Sequence, residues 1–175
     1  MFSLSYTPAY DPYHTVFRYL VILSSVEDSS LSYRAARTAD FFLCFPWALS
    51  EVKAPRGVKG FAKDRNSILK LYPQSTYDKI PKPRIIFERM EVIQATAVSA
   101  LAGADLIDSV VAEQGHVSLV VDSLSENLLS SIKEFQIKHS ELVELIAKKL
   151  PQFSELGKDG IFARSGLGEH NYDIV

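Results

Sequence analysis

The chain has 175 residues, of which 47% are hydrophobic and 23% charged, and its formal net charge is −2. This length and composition are typical of a folded globular chain, and the charge argues against a globally basic nucleic-acid binder. A single cysteine cannot form an internal disulfide, which favours a reducing compartment. The longest apolar run is far too short to span a membrane, and the N-terminus lacks the features of a signal peptide. We therefore expect a cytoplasmic protein without a membrane partner.

The first third of the chain predicts two helices. Asp11 precedes Pro12, which favours a helix start because the carboxylate caps free N–H groups and proline tolerates the first turn. Apolar residues then recur at helical spacing as far as Ser24. After a polar turn, a second helix is expected over residues 31–44, ended by Pro46.

The middle of the chain combines a basic, loop-rich stretch with further helices. Residues 53–84 hold nine basic residues against two acidic ones, and four of the eight prolines. This basic insert is either a solvated connector or a contact surface for phosphate or for an acidic protein, and both interpretations stay open. Within it, residues 60–71 predict a helix, and a longer helix is expected over residues 84–102.

A short helix and a strand are predicted next. Asp105 is expected to cap a helix that extends to Glu113. Residues 116–121 have the valine-rich sequence HVSLVV, which follows a Gln-Gly turn and favours a β-strand.

A long C-terminal helix is the best-defined element of the sequence. Ser123 and Glu126 fit a capping box at its start, and Pro151 follows its end. Apolar positions between them recur with a period close to 3.5 residues, at Leu128, Ile132, Phe135, His139, Leu142, Ile146 and Leu150. Such a narrow seam packs against the core of its own chain or against a partner chain. The candidate helix-docking residues are Leu128, Phe135 and Leu142.

These patterns divide the chain into three parts. Residues 1–122 form a helical domain that contains the basic insert, residues 123–150 form the long helix, and residues 151–175 form a C-terminal tail. The predicted fold class is mainly α with a small β element. A winged-helix domain is one arrangement that satisfies this description.

Residues with catalytic or metal-binding potential lack partners in the sequence. His139 lies on the apolar seam without a second ligand at helical spacing, and Cys44 stands among phenylalanines without a second thiolate. Neither a nucleophile-elbow motif nor a phosphate-binding glycine loop is present. We therefore predict no catalytic residue, no metal site and no cofactor, and do not expect an enzyme.

One pattern points to a different class of protein. Asp40 followed by Glu51-Val52-Lys53 has the spacing of a D…E-x-K nuclease core, where two carboxylates hold a divalent metal ion and the lysine positions water. This chemistry requires Glu51 and Lys53 on one face of a strand. The preceding residues predict a helix end and a turn, so a metal-dependent nuclease is kept only as an alternative.

Several short segments together resemble a known family. The sequence YDPYH at residues 10–14 leads into a helix, and is followed by DFFLCFP at residues 40–46 and KAPR at residues 53–56. Together with PRIIFERM at residues 83–90, these segments resemble the middle component of ABC-three-component systems. That group includes the Lamassu anti-phage and anti-plasmid loci. The likeness extends over about residues 6–122.

The resemblance implies a non-catalytic accessory subunit. Such systems pair an SMC-like ATPase with a middle component and with an effector that is often a nuclease. The middle component is expected to bridge the other two proteins and to meet DNA through the complex. No catalytic residue is carried over from the family.

Two surfaces are candidates for these contacts. The seam of the long helix offers the three docking residues, and the basic insert offers five cations for DNA or an acidic partner, Lys53, Arg56, Lys59, Lys63 and Arg65. A stand-alone winged-helix DNA-binding protein is the main alternative, because the insert would then bind duplex DNA without other subunits.

Overall fold

A computed structural model describes residues 8–76 and 79–168. The first seven residues, Tyr77 and Asp78 of the basic insert, and the last seven residues of the predicted C-terminal tail lie outside the described residues. Within the described ranges, no helix is both long enough and apolar enough to cross a bilayer.

The described chain is mostly helical, as predicted. The longer helices are α1 (Pro12–Leu23), α2 (Tyr33–Cys44), α3 (Phe61–Leu71), α4 (Pro83–Gly103) and α6 (Glu126–Lys138). Three short helices are α5 (Ser109–Glu113), α7 (Ser140–Glu144) and α8 (Ile161–Ser165). Strands β1 (Ser30–Ser32) and β2 (His116–Ser118) form a small antiparallel sheet, in which Ser32 pairs with His116.

Helix α1 lies at the centre of the molecule. Its cap is the predicted one, since the Asp11 carboxylate accepts a hydrogen bond from the His14 backbone N–H over 2.9 Å. Residues 18–23 are all buried, because α2, α4 and α6 pack around this part of the helix. This half of α1 therefore has no solvent face, whereas its first turn is exposed at Tyr13 and His14.

The sheet differs from the prediction in two ways. The sequence predicts a strand over residues 116–121, but β2 ends at Ser118 and Val121–Ser123 form a 3₁₀ turn. The sequence assigns Leu31 and Ser32 to a helix, but they belong to β1, and α2 begins at Tyr33 with Ser32 as its cap. Serines give β1 little intrinsic strand preference, so the strand forms because β2 offers a backbone partner.

The winged-helix arrangement is not confirmed. A wing is a β-hairpin, whose two strands follow each other in the chain. Here β1 precedes α2 and β2 follows α5, so the two described strands come from distant segments. The small β element of the prediction is present, but its strands do not form such a hairpin.

The helix predicted over residues 123–150 is not continuous. Helix α6 starts after Ser125, whose hydroxyl accepts from the Leu128 N–H over 3.3 Å, so the cap is Ser125 and not Ser123. At His139 the backbone leaves helical geometry, with φ −117° and ψ 35°. The chain continues through α7, a π-helical turn over Leu145–Lys149 and a 3₁₀ turn. A regular apolar period does not reveal such an interruption.

The cap predicted for the short helix is also displaced. The carboxylate that caps α5 belongs to Asp108, which accepts from the N–H groups of Val110 and Val111 over 2.9 and 3.1 Å. Asp105 instead has a φ of 57° and follows the end of α4. The left-handed conformation is one that Asp tolerates better than most residues, so Asp105 serves the turn and not the helix.

A buried polar network connects α1, α2 and α4. Arg18 Nε lies 2.5 Å from Asp40 Oδ1, and the two side chains are 8% and 0% exposed. Gln94 Nε2 donates to the other Asp40 oxygen over 2.9 Å, and Arg37 Nε donates to Gln94 Oε1 over 2.8 Å. Arg18 Nη1 also donates to the Pro8 carbonyl over 3.0 Å. Both oxygens of the Asp40 carboxylate are therefore satisfied inside the core, which offsets the cost of burying its charge.

We expect Asp40→Ala to lower the free energy of unfolding by about 3–5 kcal/mol, because the Arg18 guanidinium is then buried without its counter-ion. The double variant Arg18→Met/Asp40→Leu should lose less than the sum of its two single variants, because it leaves neither charge unpaired. Urea unfolding followed by circular dichroism measures these differences.

The control is Glu88→Ala, which breaks an exposed pair with Arg84 and should cost no more than about 1 kcal/mol. Wild-type stability of Asp40→Ala would contradict the proposed role of the pair.

A pH effect is expected from His139, whose ring Nδ1 lies 2.7 Å from the Tyr72 hydroxyl. Burial, together with the charge of Lys138, lowers the pKa of His139 below its ordinary value. Below about pH 6.5 the unfolded chain then binds the proton more readily than the folded chain, so stability falls on acidification. We expect His139→Gln to lose less stability than wild type between about pH 7.5 and 5.5. His116→Gln serves as the exposed control, and equal losses in wild type and His139→Gln would refute the assignment.

Candidate interaction surface

An exposed basic loop connects the 3₁₀ helix Pro46–Glu51 to α3. We call residues 53–63 the basic connector, which ends in the first turn of α3. Lys53, Arg56, Lys59 and Lys63 are all exposed on it, and none forms a salt bridge with another described residue. The structure thus brings four of the five predicted cations to the surface of one short segment.

The connector is anchored to the core although its charged side chains face solvent. Val58 and Phe61 are 6% and 1% exposed, and Phe61 packs edge-on against Phe153 with ring centroids 5.1 Å apart. Val52, directly before the connector, is completely buried. Gly60 has a φ of 76°, a conformation that glycine adopts without strain, and it precedes the first residue of α3. Buried anchors at both ends restrict the loop between them.

Arg65, the fifth predicted contact residue, does not join this surface in the same way. Its Nη1 donates to the Val52 carbonyl over 2.6 Å, and its guanidinium also contacts the side chain of Asn66. The side chain is partly buried. Arg65 therefore binds the chain's own backbone at the point where the connector begins.

Two further cations hold the connector, and neither belongs to the predicted set of contact residues. Arg164 of α8 donates from Nη1 to the carbonyls of Lys53 and Ala54 over 3.4 and 3.3 Å, and the Lys53 N–H donates back to the Arg164 carbonyl over 3.0 Å. Lys149 donates to the Lys59 carbonyl, and its Nζ lies 3.3 Å from Asp64 Oδ2. These residues are far from the connector in sequence, so no local motif marks them.

The candidate docking seam faces the core of its own chain. Leu142 is buried, and Leu128 and Phe135 are partly buried against the core. The Phe135 ring packs edge-on against Phe17 of α1, with centroids 5.8 Å apart. Of the two alternatives that the sequence leaves open for the seam, this arrangement corresponds to internal packing. A partner helix would have to bind elsewhere on α6, or displace these contacts.

A cleft of about 290 Å³ lies between β1, the start of α2 and the C-terminal segment. Ser32, His116 and Glu155 all line it, which invites comparison with a serine hydrolase. A serine nucleophile requires a hydrogen bond to a base that a third group orients. The Ser32 hydroxyl instead donates to the Glu155 carboxylate and accepts from the Ala35 N–H over 3.0 Å. This serine is a helix cap held by a carboxylate.

The chain matches a known family over nearly its whole length. Residues 4–173 match the family model described as ABC-three component (ABC-3C) system Middle Component 5. The chain belongs to this family. No curated protein and no solved structure matches it. The match confirms the ABC-three-component resemblance, and extends it from residues 6–122 to nearly the whole chain.

Membership of this family implies that the chain works with partners in a multi-component system. The family is not known as a catalytic one. The matched range also includes α6 to α8, which supply the Lys149 and Arg164 contacts to the basic connector. The family match therefore includes the C-terminal part of this middle component.

The D…E-x-K pattern does not assemble into a metal site in this middle component. Asp40 is completely buried and bound to Arg18 and Gln94, whereas Glu51 and Lys53 are exposed beyond the end of α2. Glu51 ends a 3₁₀ helix and does not lie on a strand. Among the described residues, no group of three or more His, Cys, Asp or Glu side chains is placed to hold a metal ion. The aspartate that completes the sequence pattern serves the core.

Cys44 is likewise placed as a structural residue. Burial raises the pKa of its thiol, and the nearby Asp40 carboxylate acts in the same direction. A thiol with a raised pKa stays protonated near neutral pH, so it is a poor nucleophile. In this environment Cys44 acts as a small apolar residue.

We expect Phe135→Ala to destabilise this middle component by about 2–4 kcal/mol, because it removes a ring that packs against Phe17 and the core. The matched control on the same helix is Ile137→Ala, since Ile137 is 73% exposed and should change stability by less than about 0.5 kcal/mol. Urea unfolding of the isolated chain measures both. If Phe135→Ala left stability unchanged, the seam would be free to serve a partner.

Proposed function

We propose that this middle component is a non-catalytic accessory subunit that bridges an SMC-like ATPase and an effector in a Lamassu-type defence complex. The family match supports a role inside a multi-component system. The remainder of the proposal comes from the likeness of the N-terminal segments to the middle components of such loci. The effector is expected to be a nuclease, and the complex to act in the cytoplasm.

The exposed cations of the basic connector support this proposal, because they offer a surface for the proposed contact. The chain as a whole has a formal net charge of −2, so a local cluster of unpaired cations stands out against an acidic background. Such a cluster attracts a polyanion, either nucleic acid held by the complex or an acidic face of a partner. In this proposal the chain supplies contacts, and its partners supply ATP hydrolysis and effector chemistry.

The test is a pull-down of the tagged chain from cells that carry its native locus, with bound proteins identified by mass spectrometry. We expect recovery of an SMC-like ATPase and of a second protein encoded beside it. Recovery of the chain alone would overturn the accessory role.

A charge-reversal pair of variants makes the pull-down specific for the surface. The first variant changes Lys53, Arg56, Lys59 and Lys63 to Glu. The control changes four exposed lysines elsewhere to Glu, at Lys133, Lys138, Lys148 and Lys158. Both variants alter net charge equally. We expect the first to lose DNA or a partner protein from the recovered complex and the control to retain both, and equal recovery would remove the connector from the proposal.

The stand-alone DNA-binding alternative predicts a different result. A protein that acts alone on duplex DNA binds it tightly at physiological salt and recovers no neighbour-encoded protein. The accessory role predicts weak binding by the isolated chain, because the basic connector offers only four exposed cations to phosphates. Affinity of the isolated chain at physiological salt therefore separates the two functions.

A further inference from the structure

We infer that the basic connector is a preformed contact for the phosphate backbone of nucleic acid, positioned by Arg65, Lys149 and Arg164. The four exposed cations would touch phosphate, whereas the three positioning residues would act through the backbone that they hold. The inference deepens the proposed function, on which it rests for the role of this contact within the complex. It can fail independently, since the chain can have partners without touching nucleic acid.

The exposed side chains of the connector favour phosphate over an acidic protein surface. Between residues 53 and 63 the exposed positions are Lys, Arg, Gly or Ala, and the two large apolar side chains, Val58 and Phe61, are buried. The centres of protein–protein interfaces are enriched in aromatic residues and methionine and depleted in lysine. Contacts to the nucleic-acid backbone come from just such lysine and arginine side chains. The connector thus has the cations of a phosphate contact and lacks the apolar anchor of a protein contact.

The backbone of the connector is fixed before any ligand binds. Arg65 holds the Val52 carbonyl at the start, Arg164 holds the Ala54 carbonyl, and Lys149 holds the Lys59 carbonyl near the end. Ordering a free loop on binding costs conformational entropy, and a loop that is already ordered avoids this cost. Lys149 and Arg164 are themselves paired with carboxylates, Asp64 over 3.3 Å and Asp159 over 2.7 Å, so their contribution is to position the backbone and not to add net positive charge.

The acidic residue within α3's first turn is neutralised by the same arrangement. Asp64 follows Lys63 directly, and on its own it would oppose the binding of a phosphate. Its carboxylate is paired with Lys149 over 3.3 Å, and not with Lys59 or Lys63. Glu51, exposed before the connector, is the other carboxylate close to it in sequence. Lys149 therefore both holds the Lys59 carbonyl and leaves the neighbouring exposed lysines available.

The first experiment measures binding of the purified full chain to a short fluorescein-labelled DNA duplex by anisotropy, over a series of salt concentrations that starts at low ionic strength. We expect the logarithm of the binding constant to fall with the logarithm of salt with a slope of about −3 to −4, since four contacts contribute about −0.9 each. Lys59→Ala should weaken binding and flatten this slope by about one. Lys133→Ala, an exposed lysine on α6, should change neither.

The positioning residues require a variant that conserves charge. In Arg65→Lys/Arg164→Lys the positive charges remain, but the guanidinium geometry that reaches the carbonyls is lost. We expect about tenfold weaker binding with an unchanged salt slope, roughly the cost of ordering one more residue on binding. Trypsin should also cleave this variant faster at Arg56 and Lys59, while its urea midpoint stays close to that of wild type. Arg84→Lys, an exposed exchange outside the connector, is the control.

Each outcome decides one part of the inference. Unchanged affinity and slope in Lys59→Ala would overturn the phosphate contact, and loss of a partner protein from the charge-reversal pull-down would then identify an acidic protein as the ligand. Wild-type binding and cleavage of Arg65→Lys/Arg164→Lys would overturn the positioning role alone. Recovery of partners by a chain that binds no duplex would leave the proposed function standing and refute this inference.

Discussion

The ion pair between Arg18 and Asp40 is the constraint on which the packing of the described core depends. It lies on the central helix α1, and through Gln94 and the Pro8 carbonyl it connects α1 to α2, to α4 and to the segment before α1. Such a pair adds little net stability over apolar residues of the same volume, because most of its Coulomb energy repays desolvation. Its directed hydrogen bonds have a different consequence, since they fix where the three helices meet. The same pair explains why the nuclease pattern was misleading, because a sequence does not distinguish an aspartate in a core from one in an active site.

The sequence predicts the helices that depend on local signals and misses what depends on distant ones. The Asp11-Pro12 start of α1, the extent of α3 and the long α4 follow from caps, prolines and apolar periods, and the structure confirms them. Strand β1 was missed because its serines carry no strand signal and its partner, β2, is remote in the chain. The break at His139 was missed because the apolar period continues through it, while the ring is held by Tyr72 and Phe135. Non-local contacts outweigh local preference at both places.

The residues of the candidate surface also differ in whether a local sequence signal identifies them. Counting charges along the sequence identifies Lys53, Arg56, Lys59 and Lys63, because an excess of cations is a local property. It cannot separate these four from Arg65, whose guanidinium turns inward to the Val52 carbonyl. Neither can it find Lys149 and Arg164, which meet the connector only after the C-terminal segment has packed onto the core. Whether a cation faces solvent or holds the backbone is therefore a tertiary property.

A small, rigid cationic surface suits a subunit that acts inside a complex. The proposed contact of four cations with phosphate would be weak and salt-sensitive, too weak for a protein that must find DNA alone in the presence of competing salt. In the proposed complex, whose partners would also touch DNA, the same contact would become effectively intramolecular, and a modest individual affinity would then add strongly to the affinity of the whole complex. Rigidity matters more in that setting, because the entropy cost of ordering a flexible loop would cancel much of the small binding free energy of such a contact. The contacts of Arg65, Lys149 and Arg164 with the connector backbone thus follow the same physical logic as the Arg18–Asp40 pair in the core. At both places, the charged groups act mainly by fixing the relative positions of the segments that they join, and less by their electrostatic attraction.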